Sequence, residues 1–147
     1  MANVNLRRAE ATDAATLAAC IDAAYAAHAA RIADMPAVSE GIAADIEDNY
    51  VWVAEQGGRI VGGIILVVRD DHGVLANVAV APDARGTGLG RRLIDRVETA
   101  ARGLGLAKLR LSTHPALHEN VRLYERLGWR ETARSDSKVT MEKCLAA

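Results

Sequence analysis

Apolar residues recur along this chain with two different periods. Val51 and Val53, then Ile60, Gly62, Ile64 and Leu66, at alternate positions, mark two strands. Gln56-Gly57-Gly58-Arg59 between them is a hairpin turn signal. Val4 to Arg8 predicts a short first strand. After the turn Asp70-Asp71-His72-Gly73, the apolar run from Val74 to Ala81 predicts a central strand buried on both faces. Pro82 ends it, because proline cannot donate to a ladder.

Helical spacing governs the rest. Thr12 is placed to cap a helix running to about His28, with Leu17, Ile21, Ala24, Tyr25 and His28 on its stripe. An irregular stretch from Arg31 to Ser39 contains Pro36, and a second short helix follows from about Glu40 to Asp48. A third helix begins near Gly88, with Leu89, Leu93, Val97, Ala100 and Leu104 as its buried stripe. Leu109 and Leu111 mark a further strand. Leu117 to Leu127 predicts a helix stopped by Gly128. Trp129 to Ala133 and Lys138 to Glu142 predict a closing hairpin. The order β-α-α-β-β-β-α-β-α-β-β is an α+β layout around a mixed, mostly antiparallel sheet. No linker or repeat interrupts it, so residues 1–147 read as one domain.

Composition narrows the function classes. The formal net charge of -1 gives no global reason to expect nucleic acid or an acidic membrane surface as partner. No apolar stretch approaches the ~18 residues of a membrane span, and the N-terminus lacks a signal-peptide layout. Cys20 and Cys144 have neither metal nor redox spacing. A cytoplasmic setting is the simplest expectation. The absence of phenylalanine leaves Leu, Ile and Val to fill the core.

Between the central strand and the third helix lies Pro82-Asp83-Ala84-Arg85-Gly86-Thr87-Gly88-Leu89-Gly90-Arg91. Three alternate glycines there let a ligand approach the backbone. The first amides of the helix have no internal acceptors, and with the positive end of the dipole they form an anion site. Arg85 and Arg91 add charge suited to phosphate. The third glycine comes one residue too early for a dinucleotide fingerprint, and Leu89-Gly90-Arg91 is not the Gly-Lys-Ser/Thr of a P-loop. A turn that merely packs a helix on a sheet does not require this spacing.

Val78-Ala79-Val80-Ala81-Pro82 followed by Arg85-Gly86-Thr87-Gly88-Leu89-Gly90 resembles the acyl-CoA motif of the GNAT superfamily, Arg/Gln-x-x-Gly-x-Gly/Ala after a strand and before a helix. Leu123-Tyr124-Glu125-Arg126-Leu127-Gly128-Trp129 resembles that family's second motif. Neither alone is specific; the two in this order, separated by one helix and one strand, are. The resemblance covers essentially the whole chain and implies α/β/α layers and acetyl-CoA as co-substrate. It implies that the backbones of Val78 and Val80, flanking Ala79, bind the pantetheine arm like an added strand. It also implies that the amides of Arg85, Gly86, Thr87, Gly88, Leu89 and Gly90 hold the pyrophosphate, with Tyr124 near the thioester sulfur.

The implied reaction is attack of an amine on the thioester carbonyl, whose oxygen a strand amide near Val80 could stabilise. Tyr124 can protonate the leaving thiolate; the alternative is a packing tyrosine. Many family members carry a glutamate on the central strand at the position that is Ala76 here, and no carboxylate lies between Val74 and Ala81. His114 is the best local substitute as base, with a relayed water or bulk solvent equally open. The family's cofactor-contacting asparagine position is Leu117 here. Asn120, one turn before Tyr124, is expected to contact the cofactor instead, or else to be a surface asparagine. His114, His118 and Glu119 are not expected to bind a metal, since Pro115 keeps the two histidines off a shared helical face.

The resemblance places the acceptor against the first two helices, which gives Tyr25, His28 and Arg31 as substrate-binding candidates. Arg31 could hold a carboxylate or be a solvated surface residue. Glu40, Asp45, Glu47 and Asp48 mildly favour a cationic acceptor. Three functions follow: N-acetyltransferase of a small amine or amino acid, protein acetyltransferase on an N-terminus or lysine, or an acyl-CoA-binding module without catalysis. A homodimer is compatible with each.

Overall fold

The computed structural model describes residues 3–31 and 41–145, with the side chains of 27–31 outside that description. Strand β1 (Asn5–Arg8) leads through a 3-10 turn at Ala11–Asp13 into helix α1 (Ala14–Arg31). Helix α2 (Ile42–Asp48) precedes a meander of β2 (Tyr50–Gln56), β3 (Arg59–Val68) and β4 (Gly73–Val80). A second 3-10 turn, Pro82–Ala84, joins β4 to α3 (Leu89–Gly103). Then come β5 (Lys108–Thr113), α4 (His118–Arg126), β6 (Arg130–Arg134) and β7 (Val139–Cys144). The expected element order is present. No helix among the described residues is long and apolar enough to cross a membrane.

One sheet takes all seven strands in the order β1-β2-β3-β4-β5-β7-β6. Its single parallel contact is β4 with β5; the other neighbours pair antiparallel. One face carries α1 and α2, whose Leu17, Ile21 and Ile42 pack on Val51, Val53 and Ile65. The other carries α3, whose Leu89, Leu93 and Val97 meet Ile64, Leu66 and Leu109. Adjacent glycines on β3 let both layers seat closely. A Cβ on Gly63 would collide with Leu17, and one on Gly62 would lie 3.2 Å from Leu89 and 3.3 Å from Leu93.

Three sequence expectations change. Thr12 does not cap α1; Asp13 organises its start instead. The Asp13 carboxylate accepts the Glu10 amide at 2.7 Å and both Arg7 guanidinium nitrogens at 2.8 and 3.0 Å, joining strand to helix. Arg7 holds the Asp13 carboxyl below the usual carboxylate range. Leu104 is exposed because the chain leaves α3 there, and the buried stripe runs instead through Leu89, Leu93, Ile94, Val97, Glu98 and Ala101.

The third change shapes the site. Strand β4 is not buried on both faces: Ala76 is exposed, and Asn77, Val78 and Val80 are half-buried. The ladder to β5 holds only at Gly73↔Leu109 and Val74↔Arg110. Beyond Val74 the two parallel strands part, and a register shift between Ile65 and Leu66 of β3 faces the opening stretch. The second edge of β4 therefore lies unpaired by any strand from Leu75 onward.

Candidate active site

The parting of β4 and β5 opens a cleft of about 480 Å³. Its floor is Val78, Ala79 and Val80, its rim the loop from Ala84 to Arg91, and its far wall α4 with Asn120 and Tyr124. In an antiparallel ladder alternate residues turn their N–H and C=O groups to the same edge. Val78 and Val80 share that orientation, and the Val78 carbonyl faces the cleft, where it accepts the Tyr25 hydroxyl at 3.0 Å.

Local sequence fixes the loop. Arg59 and Asp83 form an exposed pair at 2.8 Å that ties the 3-10 turn to β3, and the Thr87 hydroxyl donates to the Ala84 carbonyl at 2.6 Å. Gly86 and Gly88 have φ of 79° and 81°, which L side chains rarely adopt, and a Cβ on either would stand in open space. Gly88 then starts α3: the Arg92 amide bonds back to its carbonyl at 3.1 Å. The amides of Leu89, Gly90 and Arg91 ahead of that bond have no acceptor within the helix. Arg85, Arg91 and Arg126 supply cationic charge to the lining, against one carboxylate, Glu119.

Of the eleven residues expected to bind the cofactor, ten line this cleft; Thr87 instead braces the loop from outside the lining. The Arg85 guanidinium reaches across to the Ala24 carbonyl at 2.5 Å, so it bridges to α1 as well as lining the cleft. Tyr25, read as an acceptor contact, lies in the same cleft on the floor strand. The side chains of His28 and Arg31 fall outside the described residues. His114 does not line the cleft: it sits past the end of β5, where its Nδ1 accepts the Ala116 amide at 3.1 Å. Among the described residues no cluster of three or more His, Cys, Asp or Glu side chains is arranged for a metal ion. Sequence reasoning missed Ala24, Leu123 and Arg126 in the lining. The signal was available, since Leu123 and Arg126 continue the α4 face of Asn120 by helical steps of three.

Tyr124 is 8% exposed and meets the Trp129 ring edge-on at 5.6 Å between centroids. Burial raises its pKa above the ordinary phenol value, and the neighbouring Tyr25 raises it further. Burial also raises that of Tyr25. The unfolded chain gives up these protons near pH 10, whereas the folded chain still holds them. Stability is therefore full below about pH 10 and falls as pH rises beyond it, the sign required when the native state binds more protons. Melting temperatures from about pH 8 to about pH 11 should fall more steeply for the parent than for a Tyr25→Phe, Tyr124→Phe double variant. Parallel curves would show that both phenols ionise as readily folded as unfolded.

The model of the acetyltransferase (GNAT) family matches residues 17–129, a span from α1 through the end of α4 that contains the whole cleft. The chain belongs to the GNAT family. Among curated proteins, the IAA acetyltransferase of Azospirillum brasilense is 35% identical over 84 residues. That match covers 56% of this chain and 55% of the relative, so the chain spans about half the length of the curated relative it matches. Solved GNAT structures share the fold over nearly the full length. The PaiA N-acetyltransferase of Thermoplasma acidophilum, in complex with coenzyme A, superposes with a TM-score of 0.88 at 18% identity, covering 97% of this chain and 99% of that one. The ribosomal-protein-S18-alanine N-acetyltransferase of Escherichia coli gives 0.83 at 22% identity, covering 99% and 96%.

Proposed function

We propose that the chain is an N-acetyltransferase that moves the acetyl group of acetyl-CoA to a primary amine of a small molecule or amino acid. The observation that carries this reading is the convergence on one cleft of three things: an unpaired strand edge, a helix N-terminus opened by glycines, and a buried tyrosine hydroxyl. The residues fit an acyl-CoA ligand. The Val78 carbonyl already accepts a hydroxyl from across the cleft, as it would accept a pantetheine amide. The space beside Gly86 and Gly88 admits phosphate oxygens to the α3 amides. The name of the curated relative, an IAA acetyltransferase, supports acetyl transfer.

Acetyl-CoA brings an activated thioester. The chain's own groups then do three things. The α3 amides and the arginines of the rim fix the anionic end. The Val80 amide, turned to the cleft, donates to the carbonyl oxygen as it gains charge. Tyr124 gives its proton to the departing sulfur, and its raised pKa keeps that proton in place at neutral and mildly alkaline pH. His114 lies outside the lining, and the acceptor amine loses its proton to solvent.

Ligand binding gives the direct test. Acetyl-CoA should stabilise the folded state by selective binding, by about 2.7 kcal/mol at a hundred times Kd, and so raise the melting temperature. ATP and NAD at equal concentration raise it far less, because neither has a pantetheine arm to pair with β4. Equal shifts with all three would overturn the acyl-CoA reading, and thiol release with a panel of amines then ranks acceptors.

A further inference from the structure

Helix α3 buries one carboxylate within its apolar stripe. Glu98 is 5% exposed, between Val97 and the buried Ala101. Its partner comes from the far end of the chain. The Lys143 ammonium, on β7, donates to both Glu98 oxygens at 2.9 and 3.1 Å. It also donates to the Leu127 carbonyl at 2.7 Å. An ammonium has three protons, and these three bonds use them all.

The carbonyl it caps has a particular place. Leu127 ends α4, three residues after Tyr124. The last carbonyls of a helix lack internal partners and carry the negative end of its dipole, so a cation there satisfies both. The backbone around it is fixed as well: the Leu127 and Trp129 amides both donate to the Tyr124 carbonyl, at 3.0 and 2.9 Å. Gly128 makes the intervening turn at φ 95°, and the Lys143 Cε lies 3.5 Å from where its Cβ would be. Lys143 is thus a polar tie between the helix that carries the phosphate loop and the turn that ends the helix of Tyr124.

We infer that the Lys143–Glu98 pair is a positioning device that sets the Tyr124 hydroxyl against the α3 loop. The inference rests on Tyr124 acting as the acid. Removing Lys143 leaves the α4 carbonyl uncapped and lets its last turn drift. The Glu98 carboxylate is not stranded, because Arg102 stands 3.6 Å away on the same helix. The fold therefore has a substitute partner for Glu98, whereas among the described residues no other side chain is shown bonding the Leu127 carbonyl.

The test is a double-mutant cycle on the full chain, with acetyl-CoA affinity measured in parallel. Lys143→Met should lower kcat by on the order of tenfold to a hundredfold, the scale of a misplaced catalytic group, with acetyl-CoA Kd nearly unchanged. In a Tyr124→Phe background the same change should lower kcat no further, because the hydroxyl it positions is gone. Two results overturn the proposal while leaving the acid reading intact: an unchanged kcat in Lys143→Met, or losses that multiply in the double variant. A Tyr124→Phe enzyme as fast as the parent removes the acid reading and the proposal with it. Should Lys143→Met not fold, Lys143→Gln, whose shorter side chain cannot cap the Leu127 carbonyl and bond Glu98 together, enters the same cycle with the same outcomes.

Discussion

Gly88→Val should abolish the thermal stabilisation by acetyl-CoA, whereas Gly105→Val should keep it. The two glycines are matched in backbone: φ is 81° at Gly88 and 78° at Gly105, and a Cβ on either meets no atom within 4 Å. A β-branched residue in that region is strained, by roughly 1–2 kcal/mol if left-handed helix is the guide. For a chain of this size that costs roughly 2–8 °C in melting temperature for each variant. What differs is the place. At Gly88 the open space is the cleft in front of the α3 amides, and a valine there holds phosphate oxygens away from them. At Gly105 the open space is solvent beyond the end of α3. Differential scanning of both variants with and without acetyl-CoA separates strain from ligand. Equal acetyl-CoA shifts in the two would place the anion site somewhere other than the α3 N-terminus.

Tyr124→Phe should lower kcat by about a hundredfold, near the low end of the range for general acids, because a thiolate is already a tolerable leaving group. Affinity for acetyl-CoA should change little, since the ring still packs against Trp129 and only the hydroxyl is lost. The pH profile adds a second reading. Burial and Tyr25 hold the Tyr124 pKa above the ordinary phenol value, so ionisation of this group causes no fall in rate up to about pH 10. The rate should rise with pH along the ionisation of the acceptor amine, and His114→Ala should leave that rise in place. A downturn below about pH 10 that vanishes in Tyr124→Phe would show the phenol ionising in its ordinary range. A plateau in the rate that is lost in His114→Ala would make His114 the base.

Local signals carried most of the fold. The β2–β3 hairpin is written in two apolar runs and the two glycines of the turn between them. Helix α4 is written in a glycine stop that the structure realises at φ 95°. The glycine loop at the start of α3 was legible because glycine spacing is a local property. Long-range relations were not. Nothing in Val74 to Ala81 shows that β5 leaves after two residue pairs, so a half-open strand reads as a buried one. The burial of Glu98 has no local signal, because its partner Lys143 lies 45 residues away. Chain order places His114 after β5 but does not say whether its side chain lines the cleft. Leu104 has the spacing of the α3 stripe but not its burial, since periodicity does not report where a helix outruns the sheet beneath it.

The parting of β4 from β5 also bears on how the chain avoids its own kind. An unpaired strand edge invites a foreign strand, and proteins usually blunt such edges with charge, proline or a bulge. Here the inner edge lies at the bottom of a cleft, roofed by α1 through the Tyr25 hydroxyl on the Val78 carbonyl and the Arg85 bond to Ala24. A single extended ligand arm can slide along it, but a second sheet cannot reach it. The outer edge at β6 is exposed at every residue and is defended differently, with Arg130, Glu131 and Arg134 among its five positions. The molecule thus guards the inner edge of β4 by depth and the outer edge of β6 by charge.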